Sequence, residues 1–189
     1  LAYKDTFGVT DEELYRTLQF AKSRGIITTA HCENSTAVEE RQKQFIAEGK
    51  TRTGWHERSR PVQIEACGVY HLCTFAALHD AHVYAVHTSC GASLQVAQAA
   101  RDRGVRIWVE TIPAYLVLDN SYAERPNFEG AKWVMSPPIR HRSNQVPLWN
   151  GLRTGLVSTV GTDHAPFDFV GQKPMGQDDF TKIPNGVPS

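Results

Sequence analysis

The chain has 189 residues, 41% of them hydrophobic and 21% charged, enough apolar material for the core of one domain or a large part of one. Lys+Arg and Asp+Glu both total 20 and the formal net charge is zero, so nothing in the balance marks a nucleic-acid or anionic-membrane partner. No apolar run of about eighteen residues and no basic-then-apolar leader stands in the sequence; a cytoplasmic protein with a small-molecule partner is the expectation.

Thr10 or Asp11 caps a first helix whose opening acidic residues suit the helix dipole, with Leu14, Leu18 and Ala21 at helical spacing and Gly25 as its stop. Residues 26–30, Ile-Ile-Thr-Thr-Ala, read as a strand buried on both faces that ends at His31. A helix over 36–48 closes at Gly49, and 50–60 is a polar connector in which Trp55 and His56 are expected to be solvated. Pro61 opens a long apolar helix over 62–78, followed by a strand over 83–86 that ends at His87. A helix over 92–103, stopped by Gly104, leads to a strand over 105–109. A short helical turn and a loop occupy 115–126, and Trp133-Val134-Met135 reads as a brief strand. A helix over 144–154 then leads to an apolar strand over 156–160, with Leu156, Val157 and Val160 expected to be buried, and to Gly161-Thr162-Asp163-His164-Ala165-Pro166.

Strands alternating with helices of ten or more residues define βαβ units and a parallel sheet. The C-terminal ends of its strands share one face, so His31, His87 and Asp163 are expected to converge there, although they are 56 and 76 residues apart. Two imidazoles and a carboxylate suit a divalent transition metal, zinc first. Hydrogen-bonded polar groups at strand ends would give the same pattern, and spacing alone leaves both readings open. Cys32, Cys67, Cys73 and Cys90 form no C-x-x-C pair and are expected as reduced, buried small hydrophobes. His71, His79, His82 and His141 read as ordinary helix or surface residues, and His164 as a neighbour of the site and not a ligand. Leu1 opens in mid-pattern and Pro188-Ser189 follow a Gly/Pro-rich loop, so the ends read as cut.

Seven strings carry a resemblance: Leu1-Ala2-Tyr3-Lys4, Ala30-His31-Cys32-Glu33-Asn34, Val86-His87-Thr88-Ser89-Cys90, Phe128-Glu129-Gly130-Ala131-Lys132, Ser136-Pro137-Pro138, Gly161-Thr162-Asp163-His164-Ala165-Pro166-Phe167 and Asp179-Phe180-Thr181-Lys182-Ile183-Pro184-Asn185-Gly186. In this order they resemble the dihydropyrimidinase and hydantoinase family of cyclic amidases, within the amidohydrolase superfamily. The resemblance implies that residues 1–189 are the C-terminal half of a (β/α)8 TIM-type barrel, strands four/five through eight, with the N-terminal half-barrel and a small β-sandwich domain absent. Such a half barrel exposes two sheet edges and is expected to be unstable and inactive alone.

For the complete enzyme, the resemblance implies two divalent metal ions, zinc first, and hydrolysis of a dihydropyrimidine or 5-substituted hydantoin to an N-carbamoyl amino acid. It also implies a homotetramer. His31 and His87 match metal ligands, and Asp163 matches a ligand that is also the general acid/base. Tyr3 matches a catalytic hydroxyl facing the scissile carbonyl, while Ser136 and Asn185 match residues that hold the ring amide. The family's bridging carboxylated lysine precedes its Ala-Tyr-Lys string, so Lys4 is not that residue, and no two of the eight histidines form a His-x-His pair. Ser35-Thr36 and Glu110-Thr111-Ile112-Pro113-Ala114-Tyr115 depart from the family pattern and leave substrate preference open. A dihydroorotase, an allantoinase or a non-catalytic assembly relative are the alternatives.

Overall fold

The computed structural model describes residues 8–187. Helix α1 (Asp11–Arg24) starts at a reciprocal cap: Glu13 N–H donates to Thr10 Oγ1 at 3.2 Å, and the Glu13 carboxylate accepts the Thr10 N–H at 2.7 Å. Gly25 closes the helix at φ 66°, a left-handed turn that glycine adopts without strain. Strand β1 (Ile27–Ala30) follows, then α2 (Ser35–Ala47), capped by Asn34, the one-turn α3 (Trp55–Ser59) and the long α4 (Val62–His79). Strand β2 (His82–Ala85), α5 (Gly91–Asp102), β3 (Arg106–Thr111), α6 (Pro113–Val117), α7 (Gln145–Thr154) and β4 (Thr159–Val160) complete the alternation.

The four strands form one parallel sheet in sequential order β1-β2-β3-β4. Sequential parallel order with a helical crossover between strands is the arrangement of an arc of a β/α barrel. Helices α1, α4, α5 and α7 pack each on the next along the sheet. Leu14, Leu18, Leu72, Val83, Leu94, Ile107, Val109 and Leu148 join in the main core between these helices and the strands. A second cluster of Phe45, Ala131, Val134, Phe180 and Ile183 fixes the long C-terminal loop against α2. Among the described residues, no helix is long and apolar enough to cross a membrane.

Five expectations are overturned. Strand β1 is not buried on both faces: Ile26 and Ile27 are about half exposed, because among the described residues no strand pairs with this edge of the sheet. At the opposite edge Val160 is 49% exposed, and only Val157 of the predicted apolar run is fully buried. Residues 133–135 are not a strand; Trp133 ends a 3-10 helix over Glu129–Trp133, and Val134 and Met135 follow it as loop. The Val134 carbonyl accepts from Gly186 N–H and Lys173 Nζ, and that of Met135 accepts from His56, so loops and side chains take the bonds a strand neighbour would make. His56 is correspondingly buried, not solvated, while Cys67 is the exposed member of the four free cysteines.

Candidate active site at the strand ends

Strands β1 and β2 run in register, Ala30 beside Ala85, and their first polar residues beyond the pairing come into contact. His31 Nδ1 lies 3.1 Å from His87 Nε2, with the two rings nearly edge to face at a centroid separation of 4.8 Å. The other ring nitrogen of His31, Nε2, is 2.9 Å from Glu33 Oε2. Burial holds the His87 pKa below its ordinary value, with His31 adding to the effect and the Asp163 carboxylate opposing it. His87 is therefore a neutral imidazole, and its Nδ1 is buried without a hydrogen-bond partner.

Asp163 stands at the end of β4, exposed, on the same strand-end face. His87 at φ 37° and Asp163 at φ 47° both occupy the left-handed region, uncommon for residues with a Cβ and often found at functional strand ends. The turn holding Asp163 sits over β3. An added Cβ on Gly161 would lie 2.6 Å from the Glu110 carboxylate, so a larger residue there would have to displace that carboxylate. Glu110 itself accepts the His87 backbone N–H at 3.1 Å through Oε1 and the Tyr84 hydroxyl at 2.8 Å through Oε2. The carboxylate thereby ties the loop after β2 to β3.

Among the described residues, no group of three His, Cys, Asp or Glu side chains is gathered closely enough to hold a metal ion. The histidines meet, whereas Asp163 acts on His87 through its charge without joining them in such a cluster. The donor set fits part of a metal site: two imidazoles in contact, one neutral by burial with an unpartnered ring nitrogen, suit a borderline-soft divalent ion.

Ser136 and Asn185 are also brought together. Ser136 Oγ donates to Asn185 Oδ1 at 3.0 Å, joining the loop before Pro137 to the C-terminal loop. His56 lies behind them, its Nε2 within 2.8 Å of the Met135 carbonyl and 3.3 Å of Ser136 Oγ. Burial pushes the His56 pKa down to about 3, assisted by nearby Arg60 and only partly opposed by the hydrogen bond to Met135. Tyr3 lies outside the described residues.

Sequence reasoning passed over the charged groups beneath the histidines. Glu33 is fully buried and also accepts from Arg60 Nη1 at 2.6 Å. Burial would raise its pKa, but Arg60 and the His31 hydrogen bond prevail and hold it down to about 2. Arg140 extends the network: Nη1 donates to the Arg60 carbonyl, Nη2 to Glu65 Oε2 at 2.9 Å and Nε to Ser89 Oγ at 2.8 Å. Glu65 Oε1 in turn accepts the Ser89 N–H at 3.0 Å, two residues beyond His87. Only the position of Glu33 inside the string that follows β1 could have drawn attention to it.

A parallel α/β arc whose strand-end loops carry paired histidines and an aspartate has the layout of the active-site face of a β/α barrel. Over its whole length the chain is similar in sequence and fold to part of the hydantoinases and dihydropyrimidinases. It is 44% identical over 188 residues to a D-hydantoinase of Geobacillus stearothermophilus, all of this chain against 40% of that one. The solved D-hydantoinase (dihydropyrimidinase) from a Thermus species superposes with a TM-score of 0.97 at 48% identity, covering 100% of this chain and 41% of that one. The dihydropyrimidinase from Brevibacillus agri gives a TM-score of 0.97 at 44% identity, covering 99% and 41%. The chain thus spans about 40% of the length of the curated relatives it matches. No protein-family model matches it.

Proposed function

We propose that the full-length protein hydrolyses a cyclic amide, a dihydropyrimidine or a 5-substituted hydantoin, to an N-carbamoyl amino acid. The observation that carries this reading is the His31–His87 pair at adjacent strand ends, in a chain matched throughout by D-hydantoinases. His31, His87 and Asp163 would hold divalent metal, zinc first, together with ligands from outside the described residues. When bound, the metal would supply a nucleophile from water at neutral pH and polarise the ring carbonyl.

The chain's own residues would do the rest. Asp163, exposed at the end of β4, can take a proton on its carboxylate from the attacking water and return it to the departing ring nitrogen. Ser136 and Asn185 already meet, and a ring amide could replace their mutual hydrogen bond with bonds of its own. Tyr3 is proposed to donate its hydroxyl to the developing oxyanion, a kind of contact generally worth about 3–4 kcal/mol.

Metal analysis and ring-opening assays on the full-length protein test the proposal. Two divalent ions per subunit, hydrolysis of hydantoin or dihydrouracil, and loss of turnover together with weakened metal binding in Asp163→Ala are the expected results. No metal after reconstitution with zinc, or an Asp163→Ala variant with unchanged turnover, would overturn it.

A further inference from the structure

We infer that Glu33 is a positioning residue for the strand-end histidines, fixing the tautomer in which His31 presents a lone pair at Nδ1. A carboxylate only accepts hydrogen bonds, so the proton between Glu33 Oε2 and His31 Nε2, 2.9 Å apart, resides on the imidazole nitrogen. A ring protonated at Nε2 alone carries its lone pair on Nδ1, the atom that faces His87 Nε2 at 3.1 Å. His87 must donate across that gap from Nε2, which leaves its own lone pair on the buried Nδ1 that has no partner. The protons are thus ordered outward from one carboxylate.

Glu33 can impose this order because it cannot itself turn. It is 0% exposed, and Arg60 Nη1 grips the same Oε2 that His31 reaches. Arg60 is held in place through its carbonyl by Arg140, which also bonds Ser89 and Glu65 in the loop after β2. One buried network therefore fixes the loops of both histidines and gives Glu33 a stationary charge. The carboxylate–imidazole arrangement is the one that orients histidine ligands in metal sites.

The inference deepens the proposed function and rests on it for the metal arm of its test. A glutamine at position 33 keeps the size of the side chain, but its amide can donate to His31 Nε2 and so permit the Nδ1–H tautomer. Nitrogen-15 spectra of the metal-free, histidine-labelled full-length protein are expected to show a pyridine-like Nδ1 on His31. In Glu33→Gln that signal should move toward the protonated or mixed form, and zinc affinity should fall about 10–100-fold. Because Glu33→Gln also leaves the buried Arg60 without its counter-charge, the paired variant Glu33→Gln/Arg60→Met provides a second test that does not bury an orphan cation.

A pyridine-like Nδ1 on His31 in both folded variants, with zinc affinity unchanged, would overturn the inference and leave the proposed function standing. A tautomer shift on substitution in a protein that binds no zinc would sustain the positioning role and remove the proposed function.

Discussion

Replacing Arg140 with methionine tests whether the buried charge network holds the loop that carries His87. Arg140 and Glu65 are only 3% and 1% exposed, and the guanidinium makes hydrogen bonds to Glu65, Ser89 and the Arg60 carbonyl. Methionine fills much of the volume but leaves the Glu65 carboxylate buried without its cation. Breaking a buried pair from one side costs about 3–5 kcal/mol, against a total domain stability of about 5–15 kcal/mol. With a urea dependence of about 2 kcal/mol per molar, the unfolding midpoint of the full-length protein should fall by about 2 M. Glu65→Gln added to Arg140→Met removes the orphan charge while retaining an oxygen for the Ser89 N–H, and should recover roughly half of that loss. A double variant no more stable than Arg140→Met, or a midpoint shift of the single variant below about 0.5 M, would refute the electrostatic account.

Two further predictions concern stability. Glu33, with its pKa lowered from 4.5 to about 2, contributes stability that is present above pH 4.5 and lost as pH falls toward 2. His56 is lowered from 6.5 to about 3, so the unfolded chain takes up its proton first and stability is lost as pH falls from 6.5 toward 3. Each shift corresponds to about 3–5 kcal/mol, and both act in the same direction. Urea midpoints should therefore drop from pH 6.5 downward, and His56→Gln should flatten the part of that slope above pH 4.5; an unchanged slope would contradict the burial of a neutral His56. Gly68→Ala should destabilise by about 1–3 kcal/mol, because its Cβ would lie 2.6 Å from the Cys32 carbonyl carbon in the loop between His31 and Glu33. A thermal midpoint equal to that of the original protein would show that α4 can withdraw from this loop without cost.

The amino-acid sequence by itself determined, to within a residue or so, the limits of the longer helices and the alternation of elements; the one-turn helix Trp55–Ser59 was read only as connector. Thr10, Gly25 and Pro61 act through local backbone chemistry, and their effects appear where the sequence places them. The positions of His31, His87 and Asp163 at strand ends followed from the same local reading, because an apolar run that stops at a polar residue marks a strand end without reference to distant contacts. Tertiary structure decided what those residues touch. Burial at the sheet edges depended on which strands have neighbours, so Ile27 and Val160 are exposed despite their apolar side chains. Val134 and Met135 have strand-forming composition, but their carbonyls are taken by Lys173, Gly186 and His56, none of them near in sequence. The pairing of Glu33 with Arg60, 27 residues away, and of Glu65 with Arg140, 75 away, has no local signature, since a buried charge requires a partner but does not specify which one. Sequence thus located the histidines, and the packing of α4 and the loop before α7 against the strand ends supplied the charges that orient them.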